Sequence, residues 1–168
     1  TEILRRISSE FSSFGKVTNL HPERVDVGPF LEEIISPYTG MERVTVALAA
    51  AEPAAVAADR EALRKIVVNL LENAVDAVAG EGRIDVGWRA AGGRVRIAVL
   101  DDGAGLSPEA AERLFEPYFS TKTNGTGLGL AICQGLAREM DGEVALRARG
   151  DGGGVEATID LPAAPAGA

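Results

Sequence analysis

The chain is short of most residues that mark secreted, metal-clustering or nucleic-acid-binding proteins. It has one cysteine, Cys133, which excludes a disulfide framework and a cysteine-based metal cluster. Inside "LAICQGLA" that cysteine reads as a small core residue. It has one histidine, His21, placed before a proline. Only three of its 17 basic residues are lysine, against 25 acidic residues, for a net charge of −8. That balance argues against a nucleic-acid surface. An anionic ligand would instead be held by backbone NH groups, a metal ion or a few placed cations. No apolar run approaches ~18 residues, so no transmembrane span is expected. No signal peptide heads the chain. The segment is expected in the cytoplasm, without membrane contact of its own, whether or not a parent protein is anchored in the inner membrane. What remains is one domain's length, 168 residues, 46% of them hydrophobic, which is enough for a core.

The first residues, "TEILRRISSEF", look entered mid-helix, as in a fragment of a longer protein. Ile3, Leu4, Ile7, Phe11 and Phe14 recur at helical spacing, and Gly15 can end that helix. "KVTNLHPERVDV" reads as linker and short strand, and "PFLEEIISPY" as a helix with Pro29 at its start. "RVTVALAA" and "AAVAAD" are strand candidates. The strongest helix is "DREALRKIVVNLLENAVDAVAG", capped by Asp59 and stopped by Gly80. "GRIDVGWRA" and "RVRIAVLDDG" form a hairpin across Ala91-Gly92-Gly93. Ser107 caps a short helix with Pro108 in its first turn. "TNGTGLG" opens another helix running to about Met140. "GEVALRARG" and "GVEATIDL" make a closing hairpin, and 162–168 reads as a flexible tail. Helices alternating with hairpins predict an α+β sandwich on a mixed, largely antiparallel sheet.

Three segments hold more than structure requires. In the long helix, Leu63, Ile66, Val67, Leu70, Leu71, Ala74, Val75 and Val78 share one apolar side at ~100° per residue. Asn69 and Asn73 lie one turn apart on the flank of that stripe. Asn is a poor helix former, so a stacked pair mid-helix needs a reason. They are either two surface amides or oxygen donors lining a polar cleft, where a hard cation such as magnesium takes such ligands. Glu72 falls further from the stripe and reads as solvated. "LDDGAGL" carries an apolar strand into two aspartates and two glycines, where a plain turn needs one of each. Asp101, at the strand's end, is either a loop cap or an acceptor for the exocyclic amine of a base. Gly103 and Gly105 would let backbone approach a flat ligand. "NGTGLGL" opens a helix whose free NH groups suit phosphate, but it matches neither the Walker pattern nor the dinucleotide fingerprint. Between the two glycine segments lie Phe115, Tyr118 and Phe119, read as core or as the anchored root of a mobile loop.

Taken in order, these segments resemble the catalytic ATP-binding domain of bacterial sensor histidine kinases. "NLLENAVDAV" is similar to that family's asparagine box, "DDGAGL" to its first glycine box, "LFEPYFSTK" to its phenylalanine box and "GTGLGLAI" to its second glycine box. The resemblance is to the nitrogen-regulation type in particular. It implies a two-layer α/β sandwich, the Bergerat fold, with three main helices over the sheet and ATP between the layers. It divides the chain into the end of a dimerisation-domain helix with its linker (1–24), a catalytic ATP-binding domain (25–161) and the tail. It implies that Asn73 binds Mg²⁺, that Asn69 lines the phosphate side, and that Asp101 takes the adenine amine, with Gly103 and Gly105 shaping that wall. Gly125, Thr126, Gly127, Leu128 and Gly129 would form the lid's end and meet the phosphates. Many members carry Lys three residues after the magnesium asparagine. Asp76 stands there instead, which leaves Lys122 as the cation beside the lid. The implied partners are the histidine-bearing dimerisation domain of the same kinase, a response regulator and, for the parent, a second copy of itself.

The acceptor histidine would lie on a helix upstream of this chain, and His21 is not read as that acceptor. Related hydrolases of the gyrase, MutL and chaperone types carry Glu, a base for water, where Asn69 stands. Asn69 therefore favours phosphoryl transfer to a protein, with positioning and charge stabilisation as the domain's part. An anti-sigma-type serine kinase, or a nucleotide-sensing module without transfer activity, are the alternatives.

Overall fold

The computed structural model describes residues 2–15, 19–120, 127–150 and 153–166. Helix α1 (Glu2–Gly15) precedes strand β1 (Glu23–Asp26) and helix α2 (Val27–Ile35), which tightens into a 3-10 turn over Ser36–Tyr38. Strands β2 (Val44–Leu48) and β3 (Ala55–Ala58) lead to helix α3 (Arg60–Ala77). Strands β4 (Gly82–Ala91) and β5 (Arg94–Asp101) follow, then the short helix α4 (Pro108–Arg113) and helix α5 (Gly129–Glu139). Strands β6 (Glu143–Ala148) and β7 (Val155–Pro162) close the order.

Five strands form one mixed sheet in the order β2-β4-β5-β7-β6; only the β2–β4 pair is parallel. Alternation along the strands puts Ile84, Val86, Val95, Ile97, Val99, Ile159 and Leu161 on the inner face, all buried. They meet Leu63, Ile66, Val67, Leu70 and Leu71 of α3, with Ile132, Cys133 and Leu136 of α5, in one core. Each such large side chain contributes about 1.5–3 kcal/mol by leaving water. Burial pushes the Cys133 thiol up to about 12, so it is a small apolar residue without thiolate chemistry.

Most element assignments hold, and the departures have local causes. The Asp59 carboxylate accepts from the Ala62 NH at 2.9 Å, capping α3, and Ser107 Oγ accepts from the Ala110 NH at 3.1 Å, capping α4. α2 starts at Val27, two residues ahead of the expected Pro29, since the first turn of a helix tolerates proline. α3 ends at Ala77, before Gly80, which instead takes φ +118° in the turn beyond. β1 does not join the main sheet. It pairs antiparallel with β3 in a separate two-stranded sheet. The expected flexible tail, 162–168, is tied down over its first residues. Ala163 bridges to Val56, the Ala164 NH bonds to the Ala55 carbonyl at 2.9 Å, and Arg24 donates to the Pro165 carbonyl at 3.2 Å.

Candidate functional site

The site begins on α3. Burying Leu70, Leu71 and Ala74 against the sheet leaves Asn69 and Asn73 half-buried on the helix flank. The Asn73 Nδ2 donates to Asn69 Oδ1 at 3.3 Å, so the bond uses the nitrogen of Asn73 and not its oxygen. Glu72 is exposed, as expected.

The start of α5 lies against Asn69. A Cβ on Gly129 would stand 2.5 Å from Asn69 Nδ2, so glycine is what lets the helix begin there. α3 and α4 have side-chain caps and α2 and α5 have none; the N-cap residue of α5, Leu128, is itself buried. A helix start built this way suits an anion. Gly127 takes φ +72°, and a Cβ there would fall 2.3 Å from the backbone of Tyr118, whose NH bonds to the Gly127 carbonyl at 2.9 Å. Gly129→Ala is expected to change thermal stability little, since the added methyl meets the far end of a flexible amide side chain and not backbone. Nucleotide affinity should fall, because the displaced group is Asn69. Melting curves and calorimetry on one preparation separate the two effects.

The opposite wall is the end of β5. Asp101 is only 4% exposed, more deeply set than its place at a strand end suggests. Its Oδ1 accepts from the Gly103 NH at 2.9 Å and from the Val155 NH at 3.2 Å. Both bonds fall on one oxygen and leave Oδ2 for another donor. Burial raises the Asp101 carboxyl from its ordinary value; the two backbone NH groups oppose that rise, Asp102 adds to it and Arg149 counters it. Gly103 has a packing reason: a Cβ would stand 2.4 Å from the Ala77 carbonyl, to which the Ala104 NH bonds at 3.2 Å. The first glycine loop is thus pinned to the end of α3, while Asn69 lies eight residues earlier, roughly 12 Å along the helix. Gly105 takes φ +84°.

The arrangement sets Gly129 against Asn69 at the middle of α3, with Asn73 one turn further on, and Gly103 against Ala77 at the helix's C-terminal end, beside Asp101. Lys122, Gly125 and Thr126 lie outside the described residues. Of the aromatic trio, Phe115 packs on the core and Phe119 carries the Arg113 guanidinium 4.6 Å from its ring centre. Tyr118 is no anchor: it is 67% exposed and takes φ +67°. An open groove of about 280 Å³ next to the glycine loop is lined by Ala77, Val78, Glu81 and Asp102 among others. Gly103 lines it as well, whereas Asn69, Asn73 and Asp101 do not. Gly154 and Val155 are contributors that sequence reasoning left as hairpin. Gly154 takes φ +87°, and a Cβ on it would stand 1.8 Å from the Asp101 carbonyl oxygen. The run "GDGGG", longer than a hairpin needs, was the available signal.

Residues 58–165 match the family model described as "Histidine kinase-, DNA gyrase B-, and HSP90-like ATPase". The chain belongs to that family. This histidine kinase-, gyrase B- and HSP90-like ATPase domain is similar to the sensor histidine kinase ZraS of Klebsiella oxytoca, with 34% identity over 84% of this chain and 32% of the relative's own length. It is similar also to the nitrogen regulation protein NtrY of Azorhizobium caulinodans, 34% identical over 94% of this chain and 22% of that protein. The chain therefore spans about a third or less of these relatives. Among solved structures, the catalytic domain of the histidine kinase ThkA superposes with a TM-score of 0.76 at 26% identity, covering 85% of this chain and 96% of that one. Full-length ShkA in complex with AMPPNP gives 0.80 at 31% identity, over 98% of this chain and 37% of that one. As a histidine kinase catalytic fold of an ATPase family, the domain carries a site for ATP. Among the described residues no helix is long and apolar enough to cross a membrane.

Proposed function

We propose that this chain is the ATP-binding catalytic domain of a two-component sensor histidine kinase. It binds Mg²⁺-ATP and transfers the γ-phosphoryl group to a histidine on a dimerisation helix of the parent protein. The parent works as a homodimer and passes the group to a response regulator. The observation that carries the reading is the amide at Asn69, beside the start of α5. It stands where a hydrolase needs a carboxylate to activate water, and an amide cannot accept that proton. The names of the relatives and the nucleotide analogue held by ShkA support the same assignment.

Each part of the site has a task. Asp101 Oδ2 accepts from the adenine amine, and Gly103 and Gly105 form the wall on which the base lies. The NH groups at the start of α5, with Gly127, Leu128 and Gly129, receive the phosphates. Among the described residues no group of three or more His, Cys, Asp or Glu side chains could hold a metal. Magnesium would rest on the Asn73 amide oxygen and on oxygens of the nucleotide, with Asn69 beside it, a donor set that suits a hard cation. Bound there, it would neutralise phosphate charge during transfer.

Calorimetry with ATP and GTP tests the base assignment; equal affinities would sink it. Incubation with γ-labelled ATP tests the transfer. The chain alone should take little label, and the chain extended by a histidine-bearing dimerisation helix should take it. Stable label on His21 would overturn the assignment of the acceptor. Lys122 is assigned to the γ-phosphate because Asp76 supplies no positive charge from the facing helix. Lys122→Ala should therefore weaken ATP binding more than ADP binding, by about 1 kcal/mol or more, as for a charge-assisted hydrogen bond. Equal and negligible losses for both nucleotides would make it a solvated lysine.

A further inference from the structure

The β5–β7 ladder ends at Leu100 and Glu156, one residue short of Asp101. The Val155 NH, which would extend the ladder, bonds to the Asp101 side chain instead. The Asp101 carbonyl is thereby left without a strand partner on that side. Arg149, the residue after β6, takes the place: its Nη1 donates to that carbonyl at 3.0 Å. Its own NH bonds to the Gly154 carbonyl at 3.1 Å, so the arginine is tied to the glycine that crosses closest to Asp101.

We infer that Arg149 is a positioning residue for base recognition, holding the Asp101 carbonyl so that the Val155 NH stays on Oδ1 and Oδ2 stays uncommitted. The inference rests on the assignment of Asp101 to the adenine amine. Without the guanidinium, the carbonyl is an acceptor in a largely buried setting and competes for the Val155 NH. Winning it would release Oδ1 and let the carboxylate turn. A second consequence is electrostatic. Among the described residues, the charged groups acting on the Asp101 carboxylate are Asp102 and Arg149, and of these Arg149 favours its ionised form.

The test compares Arg149→Met and Arg149→Lys with the parent chain, by calorimetry with ATP and with GTP between about pH 5 and pH 8. The Met variant should lose roughly 3- to 10-fold in ATP affinity, the scale of one ordinary hydrogen bond, and lose much less for GTP, so that the ratio narrows. The acid limb of its ATP binding should move to higher pH, because the carboxylate protonates more readily without the cation beside it. Arg149→Lys, which keeps a charged donor, should restore most of the ratio. Arg149→Gln, a donor without charge, replaces the Met variant if that one does not fold. An arginine that only braces the β6–β7 hairpin would give equal losses for both nucleotides and an unmoved acid limb, which overturns the inference. A parent chain that binds ATP and GTP equally would remove the adenine assignment itself, and the inference with it.

Discussion

Asp101→Asn should cost about 3 kcal/mol in ATP binding, roughly a hundredfold in Kd, without unfolding the protein. The asparagine oxygen can keep the bonds from the Gly103 and Val155 NH groups. Its NH₂ then stands where Oδ2 stood and faces the amine of the base, donor against donor. Stability should move the other way. The folded state raises the Asp101 carboxyl, chiefly by burial. Ionisation therefore works against folding: the cost is absent below the unfolded pKa and fully present once pH has risen through the higher folded one. Near neutral pH the amide escapes that cost, so the variant should melt no lower than the parent. The parent should lose its advantage in unbound stability as pH rises through the acid range, and Asp101→Asn should flatten that slope. Titration calorimetry and melting curves over pH test both halves; a variant that binds ATP normally would end the adenine assignment.

Gly154→Ala should be among the most destabilising single substitutions in the chain, by about 3 kcal/mol or more. Two costs combine. The residue sits at φ +87°, where an L side chain is strained. The added methyl would also fall 1.8 Å from the Asp101 carbonyl oxygen, a backbone atom between packed strands that cannot swing aside. Relief requires the start of β7 to move from the end of β5, which withdraws the Val155 NH from Asp101. Nucleotide binding should fail with stability. Gly153→Ala is the control: its nearest neighbour would be 3.8 Å away, and it should be nearly neutral. Urea denaturation of the pair decides; equal midpoints would show that the strands adjust more cheaply than their packing implies.

Signals carried by a residue and its near neighbours were legible in the sequence. Asp59 ahead of an apolar stripe named both the cap and the buried face of α3. Gly92-Gly93 named the β4–β5 turn, where both residues take positive φ. The asparagine pair and "DDGAG" stood out as local anomalies, and the structure sets Asn69 against Gly129 and Gly103 against Ala77. What was not legible depends on distant chain meeting the site. Val155 lies 54 residues from the oxygen it serves, and Arg149 lies 48 residues from the carbonyl it holds. The run "GDGGG" marks an unusual turn, but nothing local marks Arg149 or Val155 as a partner of Asp101. The β1–β3 pairing escaped for a related reason, since strands of four residues carry little pattern from which to choose a partner. Tyr118 was misjudged because an aromatic residue usually buries its ring, and its left-handed backbone cannot be read from composition.

β5 is the middle strand of the five. Edge strands fray before middle ones, so Asp101, proposed above as the acceptor for the base, ends a strand that is paired on both sides. Its companions at Gly103 and Val155 are engaged before any ligand arrives. The entropy of aligning this group was therefore spent when the sheet formed, and a bare adenine ring meets an acceptor already in place. Adenosine, with no phosphates at all, should consequently retain the discrimination against guanosine that ATP shows against GTP, at far lower affinity.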